Sequence, residues 1–357
     1  MDGPALRRLV AAMPKAELHL HLDGSLRIET ALELAQTRGV DAPSTLAGMQ
    51  AELTGPAHGA DQAELLQAFE LPIALMQDAE ALERITAELV ADKAADNVRY
   101  VEIRWGPLLH TRRGLSLEDG IAAVCEGARA AAAARPAGIE VRLICTALRS
   151  HPPEDNVRLA EAAARFVDQG LTGWDLAGPE EAYPDPSDHA RAFEIAREGG
   201  LRITIHAGEW GGAAQVRRAL VVEPERIAHG PLAIEDPALL DELKVRGVTL
   251  DLCPTSNVQA GIVPSLEAHP LARLYRAGVS VTLSTDDSTV SDITLSEEYV
   301  RAVERIGMTL RELWATDRNA LDVAFADEAT IARLRADFDA WGTTAPEAMA
   351  VTAGGQK

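Results

Sequence analysis

Short apolar runs alternate with amphipathic stretches along nearly the whole chain, the pattern of repeated strand and helix units feeding a parallel sheet. Eight runs have the length and side-chain branching of strands: residues 16–20, Arg99 to Arg104, Glu140 to Thr146, Thr172 to Leu176, Leu201 to His206, Arg226 to His229, Val248 to Leu252 and Val279 to Thr285. Eight is the number that closes a (β/α)8 barrel, a fold whose chemistry collects at the carboxyl ends of the strands. The stretches between them carry helix punctuation. Ala5 to Ala12 reads as a helix before the first strand. Asp155 is placed to cap a helix with Leu159, Ala163 and Phe166 on one face and Gly170 at its end. Asp236-Pro237 opens another through Leu239, Leu240 and Leu243 to Gly247, and Ser187 opens a third that stops at Gly199-Gly200.

About eighty residues separate the first two strands, more than one crossover helix needs. The excess, which includes a Pro-, Gly- and Ala-rich stretch from Asp41 to Gln62, predicts a helical lid inserted after the first strand, over roughly Ala63 to Met76. Residues 1–342 are expected to form a single barrel domain. Residues 343–357, polar and carrying Pro346 and Gly354-Gly355, are expected to be a disordered tail.

Composition narrows the function. No apolar run approaches the roughly 20 residues that span a bilayer, and no signal-peptide pattern opens the chain, so a soluble, cytoplasmic protein without a membrane partner is expected. A net charge of -21 without basic clusters would repel a polyanion, which excludes nucleic acid and favours a small-molecule partner. Cys125, Cys145 and Cys253 lie far apart without CxxC spacing and read as buried, reduced thiols. Lysine occurs only at 15, 93, 244 and 357, none of them at a predicted strand end. Schiff-base chemistry and a two-metal site bridged by a carbamylated lysine are both disfavoured, leaving one metal ion as the simpler expectation.

The candidate chemistry sits at strand ends. His19 and His21, two apart on a strand, share one face while Leu18, Leu20 and Leu22 take the other. His206 and Asp286 occupy matching strand ends, and imidazole with carboxylate favours zinc, though iron, manganese or cobalt could occupy the same ligands; the metal's task is to make hydroxide available near neutral pH. Hydrolysis is the implied reaction type. Glu209, three residues past His206, can reach over the metal as a proton carrier if burial raises its pKa. His229, in Arg-Ile-Ala-His-Gly, is open to two readings, a metal ligand or a base beside the bound water. Asp286 and Asp287 are adjacent, so one can face the metal while the other points elsewhere at the rim or caps a following helix.

Six blocks, His-Leu-His-Leu-Asp-Gly (19–24), Asp-Leu-Ala-Gly (175–178), His-Ala-Gly-Glu (206–209), His-Gly (229–230), Cys-Pro-Thr-Ser-Asn (253–257) and Thr-Asp-Asp (285–287), resemble the adenosine deaminase family of the metal-dependent amidohydrolase superfamily in order and spacing. The resemblance runs from about Pro14 to about Phe338. It implies a (β/α)8 barrel with one catalytic zinc per chain, bound by His19, His21, His206 and Asp286. It also implies that His229 orients and helps deprotonate the zinc-bound water and that Glu209 protonates purine N1. Asp287 would bond N7, the Gly178 amide would meet N3, and Asp23 would face the ribose. Hydroxide adds at C6 and ammonia leaves, converting a 6-amino to a 6-oxo purine.

Departures from the family's pattern lie beside these positions: Ser25 for a common alanine, Trp210 after the glutamate, Ala228 for a frequent glycine and Ser288 for a usual proline. They leave open whether the substrate is adenosine or 6-amino-6-deoxyfutalosine, an adenine nucleoside of menaquinone synthesis with a benzoate at its sugar end. Trp105, Trp174 and Trp210 are placed either to stack on such a ring or to fill the core, and Arg104 or Arg149 could pair with its carboxylate. Free adenine deaminase is an alternative. More remote ones are a phosphotriesterase or esterase of the superfamily, and a barrel that binds nucleosides without turning them over.

Overall fold

Eight strands pair in parallel and in chain order in the computed structural model, which describes residues 3–55, 66–135 and 138–345. They are β1 (Lys15–His21), β2 (Val98–Trp105), β3 (Glu140–Leu148), β4 (Leu171–Ala177), β5 (Arg202–His206), β6 (Arg226–Ala228), β7 (Thr249–Leu252) and β8 (Val281–Leu283). Backbone bonds from His21 N to Asp286 O (2.7 Å) and from Asp286 N to His19 O (3.1 Å) tie the end of β8 back to β1 and bring the sheet round into a (β/α)8 barrel. The helices packed outside bury Leu18, Leu20 and Leu22 completely. No helix among the described residues is long and apolar enough to cross a membrane.

All eight predicted strands are present, and two end sooner than the apolar pattern suggested. His229 (φ 69°) and Asp286 (φ 67°) both adopt left-handed backbone, which stops β6 at Ala228 and leaves β8 at Val281–Leu283. Non-glycine residues pay for that conformation and hold it where the surroundings enforce it. Among the helices, Asp236 caps Pro237–Arg246 as expected, accepting from Leu239 N, and Gly247 ends it. The other two starts differ. Asp155 lies in the first turn of Pro153–Ala163 and not at its cap, where its charge suits the positive helix end. Asp185, and not Ser187, caps the next segment by accepting from Ser187 N, through a 3-10 turn (Pro186–His189) into Ala190–Glu198.

The long excursion after β1 contains helices Ile28–Arg38, Leu46–Leu53, Glu70–Leu75 and Ala79–Ala95. Three residues of the expected lid, Ala63 to Leu65, lie outside the described residues; the rest includes Glu70–Leu75. The final helix, Glu328–Thr344, runs two residues past the expected domain end, and 346–357 lie outside the described residues. Trp105 and Trp174 are wholly buried, Trp174 edge-on to Phe193. Of the three tryptophans weighed for stacking on a substrate, these two are core.

The far end of the barrel is closed by charge and one ring. Phe325 sits beneath the Arg226 guanidinium, 3.7 Å from its ring centroid, and Gly173 makes room for it, since a Cβ there would lie 2.9 Å from the ring. Arg226 pairs with Glu102 and, at 3.0 Å, with Asp251, all three fully buried. Removing one partner of such a group strands the others without solvent. Arg226→Leu is therefore expected to destabilise the protein by about 3–5 kcal/mol, read as a lower urea midpoint with an unchanged slope.

Candidate active site

β1 delivers His19 and His21 to the barrel mouth, β5 delivers His206, and the turns after β6 and β8 deliver His229 and Asp286. Their functional atoms converge. Asp286 Oδ1 lies 2.9 Å from His19 Nε2 and 3.3 Å from His21 Nε2, and His21 Nε2 lies 3.3 Å from His19 Nε2 and 3.2 Å from His206 Nε2. One ligand atom from each of His19, His206, His229 and Asp286 also falls within 4.8 Å of the others. Asp286 Oδ1 is buried with no hydrogen-bond partner among the described residues. Imidazole nitrogens packed this closely around an orphaned carboxylate oxygen suit a cation at their centre better than they suit one another.

The protonation pattern agrees. Burial pushes His21 down to about 3 and His229 down to about 4, and drives His19 well below the ordinary histidine value, so all three rings are neutral. Burial works against ionising Asp286, but the surrounding histidines, His19 foremost, hold its carboxyl well below the usual range. Asp175 Oδ2 sits 2.9 Å from His206 Nδ1. The proton it holds there leaves the His206 Nε2 lone pair facing the cluster, the usual arrangement of a histidine ligand backed by a carboxylate. Ser256 Oγ donates to Asp286 Oδ2 at 2.7 Å.

A cavity of about 230 Å³ opens over this cluster, lined by His21, Asp23, Gly178, His206, Glu209, His229, Asp286 and Asp287, with Leu66, Phe69, Ile73, Leu109 and Trp210 towards its mouth. All nine sequence-predicted site residues are thus brought together, His19 lying beneath the cavity in the cluster. Three of the carboxyls hold protons readily. Burial pushes Asp23 up to about 6 and, with help from Asp286, drives Glu209 and Asp287 well above the ordinary range. Asp287 caps no helix; the next one starts at Leu295 with Thr294 as its cap. Its side chain lies flat over Gly24, where any Cβ would come within 1.7 Å of Asp287 Oδ1.

Other residues here carry functions the sequence reading did not assign. Glu180, fully buried, accepts from the backbone N–H groups of Gly208, Glu209 and Gly211 at 3.0, 3.3 and 3.2 Å, and so shapes the loop that presents Glu209. Its only signal in the sequence is an acid two residues after Gly178. Ser25 and Ser288, read as separate departures, are one: Ser288 N donates to Ser25 Oγ at 2.9 Å, a bond that a proline at 288 could not make. Arg104 and Arg149 are spent internally, Arg104 on Leu18 O and Asp175, Arg149 on His206 O and Tyr183 O, so neither is free for a substrate carboxylate.

Comparison with known proteins agrees with this geometry. Residues 14–341 match the family model described as Adenosine deaminase. The adenosine deaminase of Clostridium perfringens (strain 13 / Type A) is 37% identical over 319 residues, covering 88% of this chain and 95% of its own. Adenine deaminase from Arthrobacter aurescens superposes with a TM-score of 0.83 at 28% identity, covering 94% of this chain and 100% of its own. An amidohydrolase from Burkholderia ambifaria, solved with bound Zn, gives 0.85 at 28% identity, covering 95% of this chain and 94% of its own.

Asp175→Asn would remove the carboxylate behind His206 while leaving its size. Affinity for a divalent cation, tested with Zn2+ in competition with a chromophoric chelator, is expected to fall by about 10–100-fold.

Proposed function

The chain belongs to the adenosine deaminase family, and from that premise we propose that it is a zinc-dependent hydrolase that converts an adenine nucleoside to its 6-oxo purine and ammonia. One observation carries the reading: Glu209 and Asp287, two buried carboxyls whose pKa burial drives well up, line one cavity with the convergent His21, His206, His229 and Asp286. Purine N1 and N7 are acceptors, so the groups that meet them must donate, and a carboxyl does so only while it keeps its proton. The upward shift of both acids, caused first by burial, favours that protonated form.

His19, His21, His206 and Asp286 are the proposed zinc ligands, and a zinc ion held there would make a hydroxide nucleophile available near neutral pH. Glu209 gives its proton to N1, which makes C6 electrophilic, and Asp287 donates to N7, which fixes the ring over the cluster. Gly178 and Asp23 line the same cavity, and in this reading the Gly178 amide meets N3 and Asp23 faces the sugar. Leu66, Phe69 and Ile73, from the described part of the proposed lid, together with Trp210 cover the mouth and keep water from Glu209 and Asp287.

The cavity lining favours adenosine. No lysine or arginine occurs among the described residues that line it, and residues 56–65, which precede the mouth-lining Leu66, contain neither. An anionic group on the 5' carbon therefore meets no permanent positive charge among the described lining residues. The apolar belt of Phe69, Leu109 and Trp210 supports a second reading, 6-amino-6-deoxyfutalosine, with its aromatic ring on that belt and its carboxylate in solvent.

The deciding experiment is ammonia release by the zinc-loaded protein from adenosine, 6-amino-6-deoxyfutalosine, adenosine 5'-monophosphate and free adenine, compared as kcat/KM. Adenosine is expected to lead and the monophosphate to trail by at least about tenfold, the factor that about 1.4 kcal/mol of lost binding represents. A lead for the futalosine compound would establish the second reading, one for adenine would remove the nucleoside assignment, and silence on all four would sink the deaminase. Glu209→Gln keeps the shape and loses the proton, so kcat is expected to drop by about 10²–10⁴-fold while zinc content by elemental analysis is unchanged.

A further inference from the structure

The cluster offers one more imidazole than the proposed zinc set uses. His229 Nε2 faces the cavity 3.7 Å from both Glu209 Oε1 and Asp286 Oδ2, and whether it presents a lone pair or a proton decides what it does. The answer comes from behind the ring, where three buried residues form a directed chain. Leu271 N donates to His269 Nδ1 at 3.2 Å. His269 Nε2 lies 3.1 Å from Asn257 Oδ1, and Asn257 Nδ2 lies 3.1 Å from His229 Nδ1. Asn257, His269 and His229 are all at most 3% exposed, so water has no place in the chain.

A backbone amide only donates, so the first link has a fixed direction and every later link inherits it. His269 Nδ1 must accept, which puts its proton on Nε2. That proton goes to Asn257 Oδ1, which turns the asparagine Nδ2 towards His229 Nδ1. His229 Nδ1 must then accept, and the proton of its neutral ring sits on Nε2. Running the chain the other way would set an N–H of His269 against the N–H of Leu271 in a dry interior.

We infer that Asn257 and His269 are positioning residues that hold His229 in its Nε2-protonated form, so that His229 donates a hydrogen bond into the cavity and is not a metal ligand. The 3.7 Å gaps to Glu209 and Asp286 are too long for direct bonds, which leaves the Nε2 proton for an oxygen lying beside both carboxyls within hydrogen-bond reach of the ring. His229 thereby aims the attacking oxygen by donating to it. It does not abstract a proton, because its only cavity-facing nitrogen is already protonated. The zinc set is then complete without it.

This rests on the reading of His229 as a site residue, but the protonated nitrogen can be observed without turnover. Zinc-loaded protein labelled with 15N-histidine carries nine histidines, and long-range 1H–15N spectra separate protonated from unprotonated ring nitrogens, with His229 assigned by its loss in His229→Gln. The wild type is expected to show Nε2 protonated and Nδ1 unprotonated at His229. Asn257→Asp replaces the donor facing Nδ1 by an acceptor, and should move the His229 proton to Nδ1 and lower kcat by about 10²–10⁴-fold, the cost of a wrong tautomer in a comparable chain, with KM and zinc content near wild type. His269→Gln keeps an acceptor and a donor in the same order and should retain the wild-type His229 spectrum. An unprotonated His229 Nε2 in the wild type overturns the inference, as does an Asn257→Asp spectrum unchanged at His229. If Asn257→Asp does not fold, the wild-type and His269→Gln spectra decide. A protein silent on every purine with His229 protonated at Nε2 would sink the deaminase reading and leave the tautomer chain standing.

Discussion

The seam where β8 meets β1 is the constraint on which the rest depends. Its backbone bonds run between His19, His21 and Asp286 themselves, so the contact that completes the barrel also sets two imidazoles and a carboxylate on one point. A sheet that failed to close would lose its fold and its proposed metal site together. The left-handed backbone at Asp286 belongs to the same device. It ends the strand, turns the carboxylate inward and places Asp287 over Gly24, so neighbouring acids in the sequence acquire opposite protonation tendencies.

That divergence follows from which charges each acid meets once water is gone. Burial raises all three, but Asp286 faces imidazoles that hold its pKa well down, while Glu209 and Asp287 are raised by burial and then by neighbouring carboxylates, Asp286 foremost. Burial makes both effects large. Behind this layer, Asp175, Glu180 and Asn257 contact no proposed substrate position, yet they set the orientation of His206, the loop of Glu209 and the tautomer of His229. Below the apolar mouth the interior carries polar and charged groups down to the Arg226, Glu102 and Asp251 group that closes the far end.

Much of this was legible along the chain, for specific reasons. Strand number and order could be read because β-branched and leucine runs recur between capped helices. The site residues could be read because parallel strands put their carboxyl ends on one rim, so His19, His206, His229 and Asp286 had to share it. Cap positions were less legible. Asp155 and Ser187 each lie within three residues of the true helix start, but the choice among neighbouring polar residues depends on how the incoming loop is held. Ser25 and Ser288 looked like two unrelated departures because 263 residues lie between them, and only the closed seam shows them to be donor and acceptor.

The sequence by itself determined the barrel, the rim and the inventory of histidines and acids gathered there, since these follow from periodicity and residue chemistry. Tertiary structure alone decided which acids keep their protons, which tryptophans are core, that Arg104 and Arg149 are already engaged, and which way the chain behind His229 points. The physical reason is that periodicity is local, whereas protonation and hydrogen-bond direction depend on every group packed around an atom. At His229 the decisive neighbour is a backbone amide 42 residues away, a group every residue but proline carries and no sequence pattern can mark.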